Sequence, residues 1–449
     1  MKRKMVGYDN FVRSNPRSDK FGVLKFHSVE WWCGDATNTA RRFTWGLGMQ
    51  EVAKSDLSTG NKHFASTVIK SNELVFVFTS PYANKDDAEG GSKPLLSSFK
   101  QDTAHEFIKN HGLAVRAVGL IVTSATEAYN KCVQSKADVG VMAPTVIKDE
   151  ATGQSMTVSE VKLRGDTVIR FVELGSFEGP YLPNYQEVKS PELSFGLQRL
   201  DHAVSNVPDL FEATDYMHDL LGFHEFAEFT AEDVGTVDSG LNSMVMANND
   251  ETVLMPFNEP TFGTKRKSQI QTYLEHNNGA GIQHMALKTN DIFHTMREMK
   301  KRSFIGGFDF MPKPGDDYYK KVPGRIGEDT LTKEQLAELQ ELGLLADRDD
   351  QGVLLQVFSK PVGDRPTAFL EIIQRIGCTK DEQGKTIEQK AGCGGFGKGN
   401  FTELFKSIEE FKGASLPYFT THTDLVNKQR EAIEKKKKAK VGIESDDKW

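Results

Sequence analysis

The sequence predicts an α+β protein of two similar halves, each built from two strand–helix–strands units. Short apolar runs with strand periodicity alternate with capped helical segments along the chain. The order of these segments in the first half recurs in the second half, which indicates an internal repeat. One carboxylate, Glu371, lies inside a short apolar strand-like run, where an ionised side chain needs a partner.

Bulk composition narrows the class of protein. The chain has 449 residues, of which 38% are hydrophobic and 27% charged, and its net charge is −7. This acidic balance argues against a general nucleic-acid-binding protein, which would present a basic surface. No apolar run approaches the ~18 residues of a membrane helix, so no membrane association is expected. Residues 1–9 lack the apolar core of a secretory signal, so we expect a cytoplasmic location, with a plastid as the alternative if a transit peptide is missing.

The cysteines predict no disulfide framework. The four cysteines Cys33, Cys132, Cys378 and Cys393 are far apart and form no Cys-x-x-Cys pair. In a cytosolic protein this pattern predicts reduced thiols rather than a structural zinc site.

The first half begins with a polar segment, residues 1–20, that we expect to be a loose arm. The first unit is then predicted as a strand at 23–29, a helix at 36–46 capped by Asp35, strands at 63–69 and 74–79, and a mobile loop at 80–102. The second unit is predicted as a strand at 114–122, a helix from the capping box of Ser124 and Glu127 to about 136, and strands at 157–163 and 167–174.

The second half follows the same plan. We expect a strand at His202, a helix with Pro208 in its first turn that ends at Gly222, strands at 243–247 and 252–256, a strand at His284, and a helix at 291–302 capped by Asn290. Residues 312–348 are predicted to be a surface insertion with a helix at 333–342, between the capping box of Thr332 and Gln335 and Gly343. Later, Asn400 is predicted to cap a helix after a glycine-rich segment.

Three side chains are candidates for one metal site. Successive side chains of a strand point to opposite faces. Each of the three, His202, His284 and Glu371, therefore shares a face of its predicted strand with apolar side chains. Two imidazoles and one carboxylate with open coordination positions are typical of non-haem Fe(II) oxygenases, although zinc uses the same ligands. A buried histidine can also be a hydrogen-bonded core residue, and the wide spacing of the three is no local motif.

The repeat predicts that only the second half holds the metal. When the halves are aligned, His27 falls on His202, Ala117 on His284 and Glu173 on Glu371. The first half therefore lacks the middle ligand, and His27 is interpreted as a core or loop histidine.

Beyond these patterns, the chain resembles the 4-hydroxyphenylpyruvate dioxygenase family, and its second half resembles the plant and algal branch. The resemblance spans about residues 9–412. It is carried by motifs that include Asp201-His202-Ala-Val204, Pro256-Phe-Asn258-Glu-Pro260, Gly263-Thr-Lys-Arg-Lys-Ser-Gln269, Gly281-Ile-Gln283-His284, Leu355-Gln356-Val-Phe358, Glu371-Ile-Ile-Gln-Arg375 and Gly392-Cys-Gly-Gly-Phe396-Gly-Lys-Gly-Asn400-Phe401.

The resemblance implies a vicinal-oxygen-chelate (glyoxalase-like) fold, in which each half is an open β-barrel of two βαβββ modules. The implied divisions are an arm at 1–20, a barrel without metal at 21–185, a catalytic barrel at 195–412 with the insertion at about 312–348 and a gating helix at about 400–412, and a tail at 413–449. The family also suggests a homodimer.

The resemblance further implies the residues of the site. The implied Fe(II) ligands, with one iron per subunit, are His202, His284 and Glu371. The implied catalytic polar residues are Ser243, Asn258, Gln269, Gln283 and Gln356. The implied substrate-binding residues are Val204, Pro256, Phe358, Phe369, Phe396, Asn400, Phe401 and Leu404. Strict strand alternation places Gln283 on the face opposite His284. Phe401 and Leu404 either anchor a helix on the core or, with Phe396, form a lid.

The implied reaction uses 4-hydroxyphenylpyruvate and O₂ and yields homogentisate and CO₂, by oxidative decarboxylation, ring hydroxylation and side-chain migration. This reaction belongs to tyrosine breakdown and supplies a precursor of plastoquinone and tocopherol. Three alternatives are 4-hydroxymandelate synthase on the same scaffold, an extradiol ring-cleaving dioxygenase, and a binding protein without enzymatic activity. Product analysis separates the first two from the implied reaction, and metal content tests the third.

Overall fold

A computed structural model provides the structure, which describes residues 4–82, 94–235, 240–263, 265–380, 385 and 389–403. The described chain forms two mixed β-sheets, one in each half, with helices packed beside them. In this part of the chain, no helix is long and apolar enough to cross a membrane.

The first half forms a nine-stranded sheet. Its strands are β1 (Val23–Trp32), β2 (Gln50–Ser55), β3 (Phe64–Ser71), β4 (Leu74–Pro81), β5 (Ala114–Val122), β6 (Gly140–Lys148), β7 (Ser155–Arg164), β8 (Thr167–Glu173) and β9 (Gln186–Glu187). Its helices are α1 (Ala36–Leu47), α2 (Gln101–His111) and α3 (Ala125–Ser135). The strand order is β6-β7-β8-β5-β1-β4-β3-β2-β9.

The second half forms an eight-stranded sheet. Its strands are β10 (Leu197–Asn206), β11 (His224–Phe229), β12 (Leu241–Ala247), β13 (Leu254–Pro260), β14 (Gly281–Thr289), β15 (Leu345–Arg348), β16 (Gly352–Phe358) and β17 (Phe369–Gly377). Its helices are α4 (Leu210–Leu221), α5 (Ala231–Val234), α6 (Gln269–His276), α7 (Ile292–Lys300), α8 (Asp316–Ile326) and α9 (Lys333–Leu342). The strand order is β11-β12-β13-β10-β14-β17-β16-β15.

Both sheets are assembled in the same way. The first strands of the two modules in each half, β1 with β5 and β10 with β14, pair antiparallel at the centre of the sheet. Each of these strands also pairs in parallel with the last strand of its own module. This arrangement confirms the predicted α+β class and the four βαβββ modules.

Three strands at or next to a sheet edge escaped prediction from the sequence. They are the second strands of three modules, β2, β6 and β11, and each contains partly exposed residues. By contrast, the predicted strand β5 lies inside its sheet and is buried over its full length. Helix α2, which follows the predicted loop, was also missed.

Two predicted helix caps need correction. Helix α4 begins after Asp209, whose carboxylate accepts from the Glu212 backbone N–H, so Pro208 lies outside the helix. Helix α7 begins after Asp291 rather than Asn290, with the same type of hydrogen bond to the His294 N–H. In both places an aspartate was available next to the predicted position, and its carboxylate satisfies a backbone donor of the first turn.

Residues 312–348 are more than a surface insertion. The predicted helix α9 is present with its capping box at Thr332 and its left-handed glycine at Gly343. However, Tyr318 and Val322 of α8 and Leu339 of α9 are buried in the main hydrophobic core, and β15 forms an edge of the sheet. This segment therefore adds both core and sheet to the second half.

The four cysteines are not all reduced thiols. Cys378 and Cys393 form a disulfide with an S–S distance of 2.16 Å, whereas Cys33 and Cys132 are buried free cysteines. The glycine-rich segment folds back over the end of β17 and brings the two Cα atoms to 6.0 Å, a separation that a disulfide requires. A linear sequence does not show this return of the chain.

The N-terminal arm is not loose over its described part. The backbone N–H groups of Val6 and Gly7 donate to Glu228 at 2.6 and 2.8 Å, and the Tyr8 ring stacks on Phe229 at 5.1 Å. The Arg13 guanidinium lies 3.6 Å from the centre of the Phe226 ring. The arm therefore packs against β11.

The carboxylate of Asp19, at the end of this arm, should make the stability of the protein depend on pH. Burial raises the pKa of Asp19 to about 6, and one of its carboxylate oxygens has no hydrogen-bond partner. The folded pKa is above the unfolded value, so the folded state favours the protonated acid and loses stability as pH rises from about 4 to about 6. Asp19→Asn should raise the free energy of unfolding at pH 7.5 by about 1 kcal/mol, allowing for solvent screening.

Urea denaturation at pH 4 and pH 7.5 would measure this effect, and the gain should disappear at the lower pH. Asp317→Asn is the control, because that side chain is 87% exposed and should change stability little at either pH. An equal gain from Asp19→Asn at both pH values would contradict the assignment to ionisation.

Candidate metal centre

Three neighbouring strands bring the predicted ligands together. In the sheet, His202 of β10 and Glu371 of β17 both pair with Ala286 of β14, and His284 lies two residues earlier on β14. His202 Nε2 lies 3.3 Å and His284 Nε2 3.4 Å from the same Glu371 oxygen, Oε2. Their ligand atoms lie within 4.8 Å of one another. Within the described residues, this is the only group of three or more histidine, cysteine, aspartate or glutamate side chains that could hold a metal.

Each histidine is oriented by the residue that precedes it. His202 Nδ1 lies 2.9 Å from Asp201 Oδ1, and His284 Nδ1 lies 3.0 Å from Gln283 Oε1. With Nδ1–H donating to these acceptors, each Nε2 is left free to bind a metal.

Two β-bulges make these contacts possible. The pairing between β10 and β14 shifts register between Leu200 and His202, which leaves Asp201 unpaired. The register shifts a second time opposite Gln283. A bulged residue departs from strict alternation, so its side chain can turn toward that of its neighbour. The bulge resolves the conflict that alternation posed for Gln283.

Burial and neighbouring charges shift the pKa values of all three side chains. Burial alone would raise the pKa of Glu371, but its contacts with the two histidines outweigh burial and hold the pKa at about 2. Burial lowers the pKa of His284, and its contact with Glu371 only partly offsets that effect. Burial acts on His202 in the same way, but Asp201 and Glu371 together raise its pKa above the usual value. Two carboxylates thus stabilise positive charge at His202.

The donor set fits Fe(II). Two imidazole nitrogens and one carboxylate oxygen face a common point, and the Nδ1 atom of each histidine is directed at a protein partner. This combination suits a non-haem iron with open coordination positions, and zinc accepts the same ligands.

No equivalent group of ligands occurs among the described residues of the first half, but the predicted alignment of the halves needs correction. Glu371 pairs with the residue two positions after His284 on β14. In the first half, the residue two positions after Ala117 on β5 pairs with Arg170, not with Glu173. The same comparison puts Ser28, not His27, at the position of His202. The correct alignment differs from the predicted one by one residue on β1 and by three residues on β8, which an alignment of sequence motifs does not reveal.

Arg170 is the centre of a buried ion cluster in the first half. Its guanidinium contacts Glu160 at 2.7 Å, Glu30 at 2.6 Å and the Tyr181 hydroxyl at 2.8 Å. A cation therefore occupies the position that Glu371 has in the second half.

A cavity opens beside the three ligands. Twelve of the predicted site residues line it, namely His202, His284, Glu371, Ser243, Asn258, Gln356, Val204, Pro256, Phe358, Phe396, Asn400 and Phe401. The Phe396 ring lies edge-on to His202 at 5.2 Å, and Phe358 lies edge-on to His284 at 6.3 Å. The cavity therefore has aromatic walls near the ligands and a small set of amide and hydroxyl groups.

Four predicted residues lie elsewhere. Gln283 is behind the ligands, where its Oε1 also accepts from Asn258 at 3.4 Å. Phe369 stacks on His284 at 4.8 Å without lining the cavity. Gln269 begins α6 and is not a lining residue, and Leu404 lies outside the described residues. The gating helix predicted at 400–412 is described only as far as residue 403.

The prediction missed three lining residues, Phe229, Val245 and Gly397. Val245 could have been found, since it is two positions from Ser243 on the same face of β12. Phe229 lies on the unpredicted strand β11. Gly397 has φ +75° and packs so closely on Gln356 that a Cβ would collide with the amide.

Comparison with known proteins places this geometry in a family. Residues 199–356 match the model of the Glyoxalase/Bleomycin resistance protein/Dioxygenase superfamily. The 4-hydroxyphenylpyruvate dioxygenase of Plectranthus scutellarioides is 58% identical over 91% of this chain and 93% of its own length. That of Daucus carota is 56% identical over 91% of this chain and 92% of its own length. The chain belongs to the 4-hydroxyphenylpyruvate dioxygenase family.

The fold of the family extends to more distant proteins. A mutant of 4-hydroxymandelate synthase from Streptomyces coelicolor superposes with a TM-score of 0.69, covering 87% of this chain and 99% of its own, at 19% identity. A dioxygenase of this family from Danio rerio is 34% identical over 92% of this chain. Identity is thus much higher to the plant dioxygenases, in agreement with the predicted plant-like branch.

Proposed function

We propose that the protein is an Fe(II)-dependent 4-hydroxyphenylpyruvate dioxygenase that converts 4-hydroxyphenylpyruvate and O₂ into homogentisate and CO₂. The observation that carries the proposal is the identity of 55–58% to plant enzymes of that name, over 91% of the chain. The convergence of His202, His284 and Glu371 supports the choice of metal. Bound Fe(II) would supply chelation of the substrate's 2-oxo acid and activation of O₂.

The protein's own part is to orient ligands and substrate. Asp201 and Gln283 keep both histidines in the tautomer with a free Nε2. Phe358 and Phe396 offer flat faces on either side of the ligands, where an aromatic ring can stack and water is excluded.

Polar side chains that line the cavity suit a phenol. Asn258 donates to Asn206 at 3.3 Å, and Asn400 donates to Gln356 at 3.4 Å, so both amides already belong to hydrogen-bond networks. Ser243 pairs with Asn258 across β12 and β13. A hydroxyl placed among them could both donate and accept a hydrogen bond.

Anaerobic reconstitution with Fe(II), followed by 4-hydroxyphenylpyruvate and O₂, tests the proposal by mass spectrometry of the product. Homogentisate with equimolar CO₂ would support it. Formation of 4-hydroxymandelate would overturn the assigned product while retaining the substrate. Neither product from an iron-loaded protein would overturn the function.

Phe401 tests the role of the pocket wall. Its ring lines the cavity and lies 5.7 Å from that of Phe229, so Phe401→Ala should open the cavity to water. We expect KM for 4-hydroxyphenylpyruvate to rise about tenfold, equivalent to about 1.4 kcal/mol of lost contact, with metal content unchanged. Steady-state kinetics and metal analysis would measure both, with Phe262→Ala, which removes a 74% exposed ring, as the control. Unchanged KM would return Phe401 to a purely structural role.

Assembly and compartment stay predictions. We further propose a homodimer, as the family suggests, which sedimentation equilibrium of the purified protein would test. The expected location is cytoplasmic, with a plastid as the alternative, which fractionation of the source cells would decide.

A further inference from the structure

We propose that Arg375 and Asp201 are positioning residues that couple the glycine-rich wall of the cavity to the metal ligand His202. The inference rests on the proposed function only in taking the three-residue cluster to be a metal site. It concerns residues that line neither the cavity nor the metal position.

Arg375 is a buried hub. It lies on β17, four residues after Glu371 and on the same face of the strand, and its side chain is fully buried. Its Nε and Nη2 donate to the two carboxylate oxygens of Asp201 at 3.0 and 2.7 Å. Its Nη1 donates to the carbonyl oxygens of Cys393 and Gly395, both at 2.6 Å. One guanidinium therefore hydrogen-bonds both to β10, through Asp201, and to the glycine-rich segment that follows β17.

Asp201 connects that hub to the metal ligand. Its Oδ1 accepts from both Arg375 Nη2 and His202 Nδ1, at 2.7 and 2.9 Å. The bulge at Asp201 is what lets this carboxylate lie beside His202. Removing the arginine would take both guanidinium hydrogen bonds from this buried carboxylate and leave it only His202 and Arg199, whose Nη2 lies 3.8 Å from Oδ2, which is costly.

The glycine-rich segment is the other end of the connection. Gly394 and Gly395 both have positive φ, so the segment turns tightly and presents its carbonyl oxygens to Arg375. The next residue, Phe396, packs on His202 and lies with its ring centre 5.7 Å from the Arg375 guanidinium carbon. A shift of the wall would therefore be transmitted to His202 through the ring and through Asp201.

His284 shows that the connection is specific to one ligand. Its acceptor, Gln283, is a neutral amide whose Oε1 also accepts from Asn258 in the cavity. No described hydrogen bond joins Gln283 to an arginine. The two histidines are therefore held by different chemistry, and only His202 is tied to the wall by charged groups.

The matched control is Arg170, a buried arginine on the corresponding strand of the first half. It is 4% exposed and also bonds buried carboxylates, but it serves no metal ligand. Replacement by lysine keeps the charge of either arginine and removes the fork of donors. Arg375→Lys and Arg170→Lys should therefore lower stability alike and differ at the metal.

The experiment measures Co(II) binding and hydrogen exchange, and neither readout needs turnover. Arg375→Lys should weaken Co(II) binding about 10- to 100-fold, change the visible spectrum of the bound Co(II), and speed exchange in the peptide 392–401. Arg170→Lys should leave all three unchanged. A folded Arg375→Lys variant with wild-type affinity and spectrum would overturn the proposal.

Asp201→Asn tests the coupling between the glycine-rich wall and His202. It also replaces Arg375→Lys as the test variant if Arg375→Lys does not fold. In the wild type, Co(II) should slow exchange in 392–401, and in Asp201→Asn that metal-linked slowing should disappear although Co(II) still binds. Equal slowing in the two proteins would overturn the coupling. Failure of the wild type to form homogentisate would count against the proposed function alone, because the Co(II) readouts would still stand.

Discussion

Glu371→Gln is expected to abolish CO₂ release and to weaken Fe(II) binding at least about 100-fold, while the fold persists. The amide has the shape of the carboxylate but no charge, and Glu371 is the only anion among the three ligands. Both histidines contact its Oε2, so a neutral oxygen there removes the attraction for a divalent cation. Metal analysis after gel filtration and CO₂ release would measure the two effects, and circular dichroism would check folding.

Glu160→Gln is the matched control for this variant. Glu160 is a carboxylate of the first half, 1% exposed and bonded to Arg170, so its replacement should cost stability and leave iron content unchanged. Turnover by Glu371→Gln at the wild-type rate would remove Glu371 from the mechanism.

The largest loss of stability is expected from Arg170→Ala. The change would leave Glu30 and Glu160, which are 7% and 1% exposed, without the cation that they contact. Breaking a buried ion pair in this way costs about 3–5 kcal/mol, because a buried charge is left uncompensated. Urea denaturation of the metal-free protein would measure the free energy of unfolding.

Lys25→Ala provides the comparison with an exposed pair on the same strand as Glu30. Lys25 and Glu73 are 50% and 56% exposed, so the loss should stay below about 1 kcal/mol. Metal binding should be unaffected by either variant under conditions where the protein is folded. A loss below about 1 kcal/mol for Arg170→Ala would show that water or rearrangement compensates the carboxylates.

Local patterns carried much of the fold. Helices α1 and α9 begin at the predicted caps, because Asp35 and Thr332 satisfy the first backbone donors, and left-handed glycines end both helices. The arm was mispredicted for the opposite reason. Its polar sequence has no periodicity, and its order comes from contacts with Glu228 and Phe229, which are distant in the sequence.

The sequence by itself determined the repeat of four modules and the three in-phase side chains His202, His284 and Glu371. These features follow from the periodicity of buried strands and from the cost of burying an unpaired carboxylate. Only the tertiary structure decided what holds these side chains in place. Strand pairing creates the bulges that turn Asp201 and Gln283 toward the histidines, and the returning chain brings Cys393 to Arg375. Register and chain return are properties of paired segments, so no single segment encodes them.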